Sequence, residues 1–233
     1  MLPLKDNIPT RRLAVLTIAI IAANFAVWLL WERAGAEPAF RNSLGDGAYF
    51  PCEVDESCNG PGWPWPINVF TSMFMHAGWE HILGNMLFLW IFGNNVEDAL
   101  GHLAFLAWYL AAGIAAMAAQ TFVTLQFAGV QAASIPNIGA SGAIAGVLGA
   151  YFVLLPRARV LTLIFVFIRE IPAFWFLGIW FLLQLWTGGL ALERPEAGGG
   201  VAFFAHIGGF AFGVLSGLFL AATRRRPRRY DLR

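Results

Sequence analysis

The chain has 233 residues, of which 58% are hydrophobic and 12% are charged, and its mean hydropathy is +0.64. This composition excludes a soluble globular protein and is typical of a polytopic membrane protein. The formal net charge is only +1. The arginine-rich segment 224–229 is interpreted as an anchor for anionic lipid headgroups, and no nucleic acid is expected as a partner.

Six apolar segments approach the roughly 20 residues that a transmembrane helix needs. They lie near residues 13–31, 77–96, 103–123, 138–155, 171–190 and 203–222. We therefore predict an all-α polytopic membrane protein with a compact six-helix transmembrane domain over 13–222 and tails at 1–12 and 223–233. The first segment lacks a small-residue cleavage site, so it is expected to be retained as a helix. The shorter apolar run 160–168 is expected to lie at the membrane interface, leading into the fifth helix.

The basic residues are unevenly distributed between the two sides of such a bundle. Six spans place both termini on one side, and that side holds twelve of the fifteen basic residues. They are Lys5, Arg11, Arg12, Arg157, Arg159, Arg169, Arg224, Arg225, Arg226, Arg228, Arg229 and Arg233. Because cytoplasmic flanks carry the excess of lysine and arginine, we expect both tails in the cytoplasm of a bacterial inner membrane.

Two loops on the opposite side of the membrane from the termini stand out from simple connecting segments. The first, 32–75, is long and rich in Trp and Pro, which favours a structure partly embedded in the membrane. It contains Cys52 and Cys58, the two cysteines of the chain. On an oxidising side of the membrane they form a candidate disulfide, with two free thiols as the alternative. The second loop, 193–200, is Gly-rich and acidic, and is expected to be mobile and to gate access.

Polar side chains cluster at the start of the second apolar segment. His81 and Asn85 are four residues apart and share a helical face, with Gly84 beside them. Hydrogen bonding between helices would explain them without any reaction. His76, near the loop junction, is expected to fix the loop in place.

The sequence Gly139-Ala140-Ser141-Gly142 begins the fourth apolar segment. Pro136 and a turn-like stretch precede it, so Ser141 is expected near a helix N-terminus, where free N–H groups would stabilise an oxyanion. From Ser141 the segment is about 22 Å long at 1.5 Å per residue, too short for a core of about 30 Å. Close packing of small residues is the alternative explanation of this serine.

A stripe of glycines follows His206 in the sixth segment, at Gly209, Gly213 and Gly217. The fourth segment carries a matching stripe at Ser141, Ala145 and Gly149. Two such faces can pack closely enough for a serine to histidine hydrogen bond of about 3 Å. A glycine zipper would explain the stripes, but not why both polar groups lie at the same end.

These motifs resemble those of the rhomboid intramembrane serine proteases. The matching elements are His76-x4-His81-x3-Asn85, Gly139-x-Ser141-Gly142 and Ala205-His206-x-x-Gly209, and the resemblance covers nearly the whole chain. It implies that Ser141 is the nucleophile and His206 its base. It further implies an oxyanion hole formed by His81, Asn85 and the backbone N–H groups of Ser141 and Ala140, with a mobile fifth helix that admits substrate laterally.

The chain departs from some members of that family at two places. Ala145 replaces a tyrosine that stacks on the histidine, so Phe210 or Phe204 is expected to position the ring. The first loop also lacks a Trp-Arg pair. Transmembrane proteins are the expected substrates, and no cofactor or metal is implied, because no His-Glu-x-x-His occurs. The alternatives are a catalytically silent rhomboid-like protein that binds membrane clients, and a small transporter. Oligomeric state is left open.

Overall fold

The computed structural model describes residues 1–60, 62–193 and 201–223. Within these residues the helices are α1 (Val15–Ala26), α2 (Ala39–Gly47), α3 (Trp65–Thr71), α4 (Trp79–Phe88), α5 (Asn94–Leu100), α6 (His102–Val123), α7 (Gly129–Ala133), α8 (Ser141–Leu154), α9 (Ala173–Glu193) and α10 (Phe203–Thr223). The strands are β1 (Leu2–Asp6), β2 (Arg159–Ile164) and β3 (Phe167–Pro172). Turns of π-helix extend α1 to Trp31, join α4 to α5 and join α6 to α7.

Each of the six predicted apolar segments contains a helix. Three segments of the described chain are long and apolar enough to cross a membrane, namely His102–Ala133, Ala173–Leu192 and Phe203–Thr223. Two further apolar helices, α1 with its π turn and α8, are shorter. The continuous α4–α5 segment carries three acidic residues. The prediction of a polytopic helical membrane protein is confirmed.

Helix α8 lies at the centre of the bundle. All ten residues from Gly142 to Tyr151 are buried, which is the pattern of a helix enclosed by protein on every side. Its 14 residues give a length of about 21 Å at 1.5 Å per residue. A helix of this length cannot reach across a hydrocarbon core of about 30 Å.

The contact between α8 and α10 depends on glycine. A methyl group on Gly209 would lie 2.1 Å from the carbonyl oxygen of Gly142, and one on Gly213 would lie 2.0 Å from that of Gly146. The predicted stripe on α10 is therefore in contact with α8. Its glycines meet Gly142, Gly146 and Ala150, one position further along α8 than the predicted stripe. Of the predicted positions, Gly149 also meets α10, whereas Ala145 lines the cavity described below.

The three strands form an antiparallel sheet in the order β1-β2-β3, so the fold is not strictly all-α. The run 160–168, predicted only as an interfacial segment, is most of the β2–β3 hairpin. The first residues of the predicted tail form β1. Val160 and Thr162 are fully buried between more exposed neighbours, which is the period of a half-buried strand. This pairing joins residues about 160 positions apart in sequence.

Asp6, the last residue of β1, attaches the sheet to the helices. Its carboxylate accepts hydrogen bonds from the Tyr151 hydroxyl at 2.5 Å and from the Asn95 amide at 2.7 Å. Burial raises the pKa of Asp6 above its ordinary value, against the lowering effect of the hydrogen bond from Tyr151. β3 ends at Pro172 and α9 begins at Ala173, so the sheet leads directly into α9.

Glu97 on α5 joins the same end of the bundle to the start of α1. Its buried carboxylate accepts hydrogen bonds from the Leu16 N–H at 3.0 Å and from the N–H and hydroxyl of Thr17, each at 2.7 Å. His102 lies 2.5 Å from the same carboxylate. A negative charge here satisfies N–H groups that the first helical turn leaves unpaired.

Candidate active site

Ser141 is the first residue of α8, and the backbone before it is arranged to start the helix there. Gly139 has a φ of +121°, which favours glycine, and its N–H donates to the carbonyl oxygen of Ser72 at 2.8 Å. Ala140, fully buried, occupies the N-cap position. The N–H groups of the first turn of α8 therefore have no partner within the helix.

The hydroxyl of Ser141 lies against the imidazole of His206. The distance between Ser141 Oγ and His206 Nε2 is 2.7 Å, although the two residues are 65 positions apart in the sequence. The glycine contact between α8 and α10 permits this approach, since Gly142 and Gly209 touch next to the two side chains. The nucleophile and the base that the resemblance implies are thus within hydrogen-bond distance.

Helix α9 contributes the other neighbours of the His206 ring. The side-chain amide nitrogen of Gln184 lies 2.7 Å from His206 Nδ1, and the Trp180 ring lies 6.0 Å from the imidazole, tilted by 38°. We expected Phe210 or Phe204 to position the ring, but the aromatic side chain beside it is Trp180. Phe210 packs instead on Phe181 at 4.4 Å and on Trp180 at 6.0 Å.

His81 and Asn85 face the same space from α4. The Ala77 N–H donates to His81 Nδ1 at 3.3 Å, so the proton of the neutral ring lies on Nε2. That edge of the ring packs on Gly139, where a methyl group would come within 2.8 Å of His81 Nε2. Asn85 Nδ2 is buried and has no hydrogen-bond acceptor within the described part of the chain. Two donors are therefore available to a ligand beside Ser141.

His76 is buried behind His81. Its backbone N–H donates to both carboxylate oxygens of Glu32, at 3.0 and 3.1 Å, and its ring lies edge-on to the His81 ring at 5.0 Å. Burial, with a smaller effect from His81, lowers the pKa of His76 to about 3. Burial raises the pKa of Glu32 to about 7. A ring that stays neutral and buried fits the expected supporting role of His76 in the loop.

One cavity of about 680 Å³ joins these groups. Ser141, His206, His81 and Asn85 line it, and apolar side chains from α2, α4, α8 and α9 make up much of its wall. A large apolar cleft with a few convergent polar groups is the usual form of a ligand site.

The first external loop is ordered around this cavity. It contains the helices α2 and α3, and a disulfide joins Cys52 to Cys58. Tyr49 exchanges backbone hydrogen bonds with Asn137, four residues before Ser141, and its hydroxyl lies 2.6 Å from that of Thr121. The predicted gating loop 193–200 and the basic segment 224–229 lie outside the described residues, save for Glu193 at the end of α9.

Sequence reasoning did not identify Gln184, Trp180 or Glu32. Gln184 carried the only available signal, because an amide inside an otherwise apolar span is costly unless it has a partner. Nothing in the sequence indicates which helix that partner would come from.

Ser141 and His206 in contact within a bundle of apolar helices are the arrangement that the resemblance to rhomboid membrane proteins implied. The Rhomboid domain family matches residues 64–223, and the chain belongs to the rhomboid family.

Several relatives are similar over most of the chain. Rhomboid protein 1 from Saccharomyces cerevisiae mitochondria is 33% identical over 171 residues, covering 70% of this chain and 45% of the relative. The mitochondrial presenilin-associated rhomboid-like protein of Bos taurus is 34% identical over 202 residues, covering 84% and 46%. Rhomboid protease GluP of Bacillus subtilis is 32% identical over 214 residues, covering 91% and 35%. The chain spans less than half the length of these relatives.

Proposed function

We propose that the chain is an intramembrane serine protease that cleaves transmembrane segments of other membrane proteins. The observation that carries the proposal is the 2.7 Å contact between Ser141 Oγ and His206 Nε2 inside the cavity. A serine hydroxyl is a weak nucleophile at neutral pH and needs an adjacent base. The name of the relative GluP, a rhomboid protease, supports the same activity.

The reaction proceeds through an acyl-enzyme. His206 Nε2 takes the hydroxyl proton of Ser141 as Oγ bonds to the carbonyl carbon of the scissile peptide. The protonated ring then gives that proton to the leaving amine as the C–N bond breaks. In the second half, His206 takes a proton from water, whose oxygen bonds to the ester carbonyl carbon. The bond from that carbon to Oγ then breaks, His206 returns the proton to Ser141 Oγ, and the new carboxyl terminus is released.

The negative charge that develops on the carbonyl oxygen falls within reach of four donors. His81 Nε2–H and Asn85 Nδ2 face the cavity beside Ser141, and the backbone N–H groups of Ser141 and Ala140 lie at the start of α8. The helix dipole has its positive end at the same place. Each donor stabilises the oxyanion more than the neutral carbonyl, so the donors lower the barrier.

The cavity favours an apolar substrate with extended backbone. Most of its lining is apolar, and its polar side chains are those of Ser141, His206, His81 and Asn85, with Glu80, Asn137 and Gln184. Attack on a carbonyl requires a backbone that is not engaged in helical hydrogen bonds. A transmembrane segment with helix-weakening residues near the Ser141 end of the bundle meets both requirements.

The charge bias supports a location with both tails in the cytoplasm of a bacterial inner membrane. The mitochondrial relatives mark the alternative, a mitochondrial membrane. Labelling of single cysteines introduced into each tail with an impermeant thiol reagent tests this orientation. Labelling only after the membrane is opened supports it, and labelling of intact cells contradicts it.

The activity is tested by purifying the protein into liposomes with a single-span reporter and mapping any cut by mass spectrometry. We expect cleavage within or beside the reporter's span by wild type and none by Ser141→Ala. Equal cleavage by both proteins contradicts the proposal. A reporter that binds wild type without being cut, across several sequences, favours the catalytically silent client-binding protein.

A further inference from the structure

Gln184 holds the ring nitrogen of His206 that faces away from Ser141. Its amide nitrogen lies 2.7 Å from His206 Nδ1, while His206 Nε2 lies 2.7 Å from Ser141 Oγ. The imidazole thus lies between a side chain of α8 and a side chain of α9. Resting on the function proposed above, we propose that Gln184 is a third member of the catalytic apparatus. It is a positioning residue: with its amide rotated so that the oxygen takes the place of the nitrogen beside His206, it accepts a hydrogen bond from Nδ1–H and keeps Nε2 free as the base.

The tautomer of His206 determines which end of the amide must face it. A neutral imidazole carries one proton, and Nε2 can take the proton of Ser141 only when Nδ1 carries it. An acceptor must then lie against Nδ1–H. The oxygen and nitrogen of a glutamine amide exchange places by rotation about the last side-chain bond without changing its shape. In the orientation that the structure has, the amide nitrogen donates to Nδ1, the ring proton lies on Nε2, and Ser141 has no base; the rotated amide reverses this.

The environment explains why an amide suits this position. Gln184 lies in the middle of α9, a helix apolar enough to span a membrane, where a carboxylate would be costly. An amide oxygen orients the ring without a buried charge, as the asparagine does in Cys-His-Asn proteases. When the ring is protonated during the reaction, the same oxygen still accepts from Nδ1–H.

A second side chain of α9 restricts the ring from the same direction. Trp180 lies one helical turn before Gln184 and contacts the imidazole, so two residues on one face of α9 hold His206. Ala145 on α8 leaves the opposite side open to the cavity. The orientation of the ring therefore depends on α9, while the contact between α8 and α10 sets its distance from Ser141.

Simple interhelical hydrogen bonding is the competing explanation, and it makes a different prediction. A bond that only joins α9 to α10 would change stability and leave turnover by the folded enzyme unaltered. A bond that sets the tautomer changes kcat with little effect on KM, because it acts on the base and does not touch substrate.

The test compares Gln184→Met, Gln184→Glu and the matched control Thr187→Val in reporter cleavage. Thr187 lies on the same helix, and its hydroxyl bonds the Leu183 carbonyl oxygen of its own helix at 2.6 Å. We expect Gln184→Met to lower kcat about 10- to 100-fold, the range for a hydrogen bond to a charged group, with KM within about twofold. Gln184→Glu, which keeps an acceptor, should recover most of the activity, and Thr187→Val should match wild type.

Nitrogen NMR of protein labelled in its imidazole rings reports the tautomer directly, with His206→Ala assigning the signal. We expect wild type to carry the proton on Nδ1 and Gln184→Met to show a mixture of tautomers. An Nε2–H tautomer in wild type, or a folded Gln184→Met enzyme with wild-type kcat, overturns the inference while leaving the protease function intact. If wild type cleaves no reporter and Ser141→Ala behaves identically, the protease function fails, and the inference fails with it.

Discussion

The substitution Gly209→Ala tests whether the α8–α10 contact sets the distance between Ser141 and His206. The new methyl carbon would lie 2.1 Å from the carbonyl oxygen of Gly142. An ordinary carbon to oxygen contact is about 3.3 Å, so the helices must separate by about 1.2 Å at this point. Added to the 2.7 Å between Ser141 Oγ and His206 Nε2, that displacement breaks the hydrogen bond.

A displacement of about 1 Å at reacting groups costs on the order of 10²-fold in rate, and overpacking costs about 1–3 kcal/mol of stability. We therefore expect Gly209→Ala to lower kcat about 100-fold in reporter cleavage, with a lower melting temperature in detergent.

Two glycine substitutions serve as graded controls. At Gly217 a methyl group would meet the Val153 Cβ at 3.2 Å, and at Gly189 on α9 no heavy atom lies within 4 Å. We expect Gly217→Ala to lose less activity than Gly209→Ala and Gly189→Ala to match wild type. A folded Gly209→Ala protein with wild-type kcat, or an equal loss in Gly189→Ala, refutes the reasoning.

Three further predictions concern the oxyanion donors and the far end of the bundle. Asn85→Ala should lower kcat by up to about 10² to 10³-fold with KM little changed, and an unchanged kcat would exclude Asn85 as a donor. Glu97→Ala removes the acceptor of three hydrogen bonds from α1 and should lower the free energy of unfolding by about 2–4 kcal/mol, measured in detergent. Thr17→Val deletes only one of those donors and should cost about 1 kcal/mol. A loss as large as that in Glu97→Ala would contradict this account. Burial raises the pKa of Asp6, so its contribution to stability is complete below the unfolded pKa and declines as pH rises through the folded pKa. The melting temperature of wild type relative to Asp6→Asn should therefore fall as pH rises between these two pKa values. A difference that is independent of pH would rule this out.

The start of α8 and the close packing of α10 could be predicted, because each has a signal nearby in the sequence. Pro136 and Gly139 mark the start of α8, and the glycine stripe after His206 indicates close packing. The resemblance to rhomboid proteases then assigned roles to His81 and Asn85. Each of these signals lies within a few residues of the side chain it concerns.

The neighbours of His206 could not be predicted, because α9 is apolar around its whole circumference. Hydrophobic periodicity shows which face of a soluble helix is buried, but lipid and protein accept the same side chains here. The rotation that turns Gln184 and Trp180 toward α10 is therefore not visible in sequence.

The sheet and the Glu97 contacts were missed for another reason. They join residues about 80 to 160 positions apart, at Thr17 and Glu97 and at Leu2 and Leu163. The pairing of β1 with β2, and the position of the Glu97 carboxylate at the start of α1, depend on how the helices pack in three dimensions. A run as short as 160–168 carries too few residues to distinguish a hairpin from an interfacial helix.

The central claim is that Ser141 is activated by His206, and covalent labelling tests it without a known substrate. Wild type, Ser141→Ala and His206→Ala are treated with a fluorescent fluorophosphonate, which traps an activated serine, and the modified peptide is mapped by mass spectrometry. We predict that wild type is modified at Ser141 and that neither variant is modified. Modification at another residue, or equal labelling of folded His206→Ala, would contradict the account.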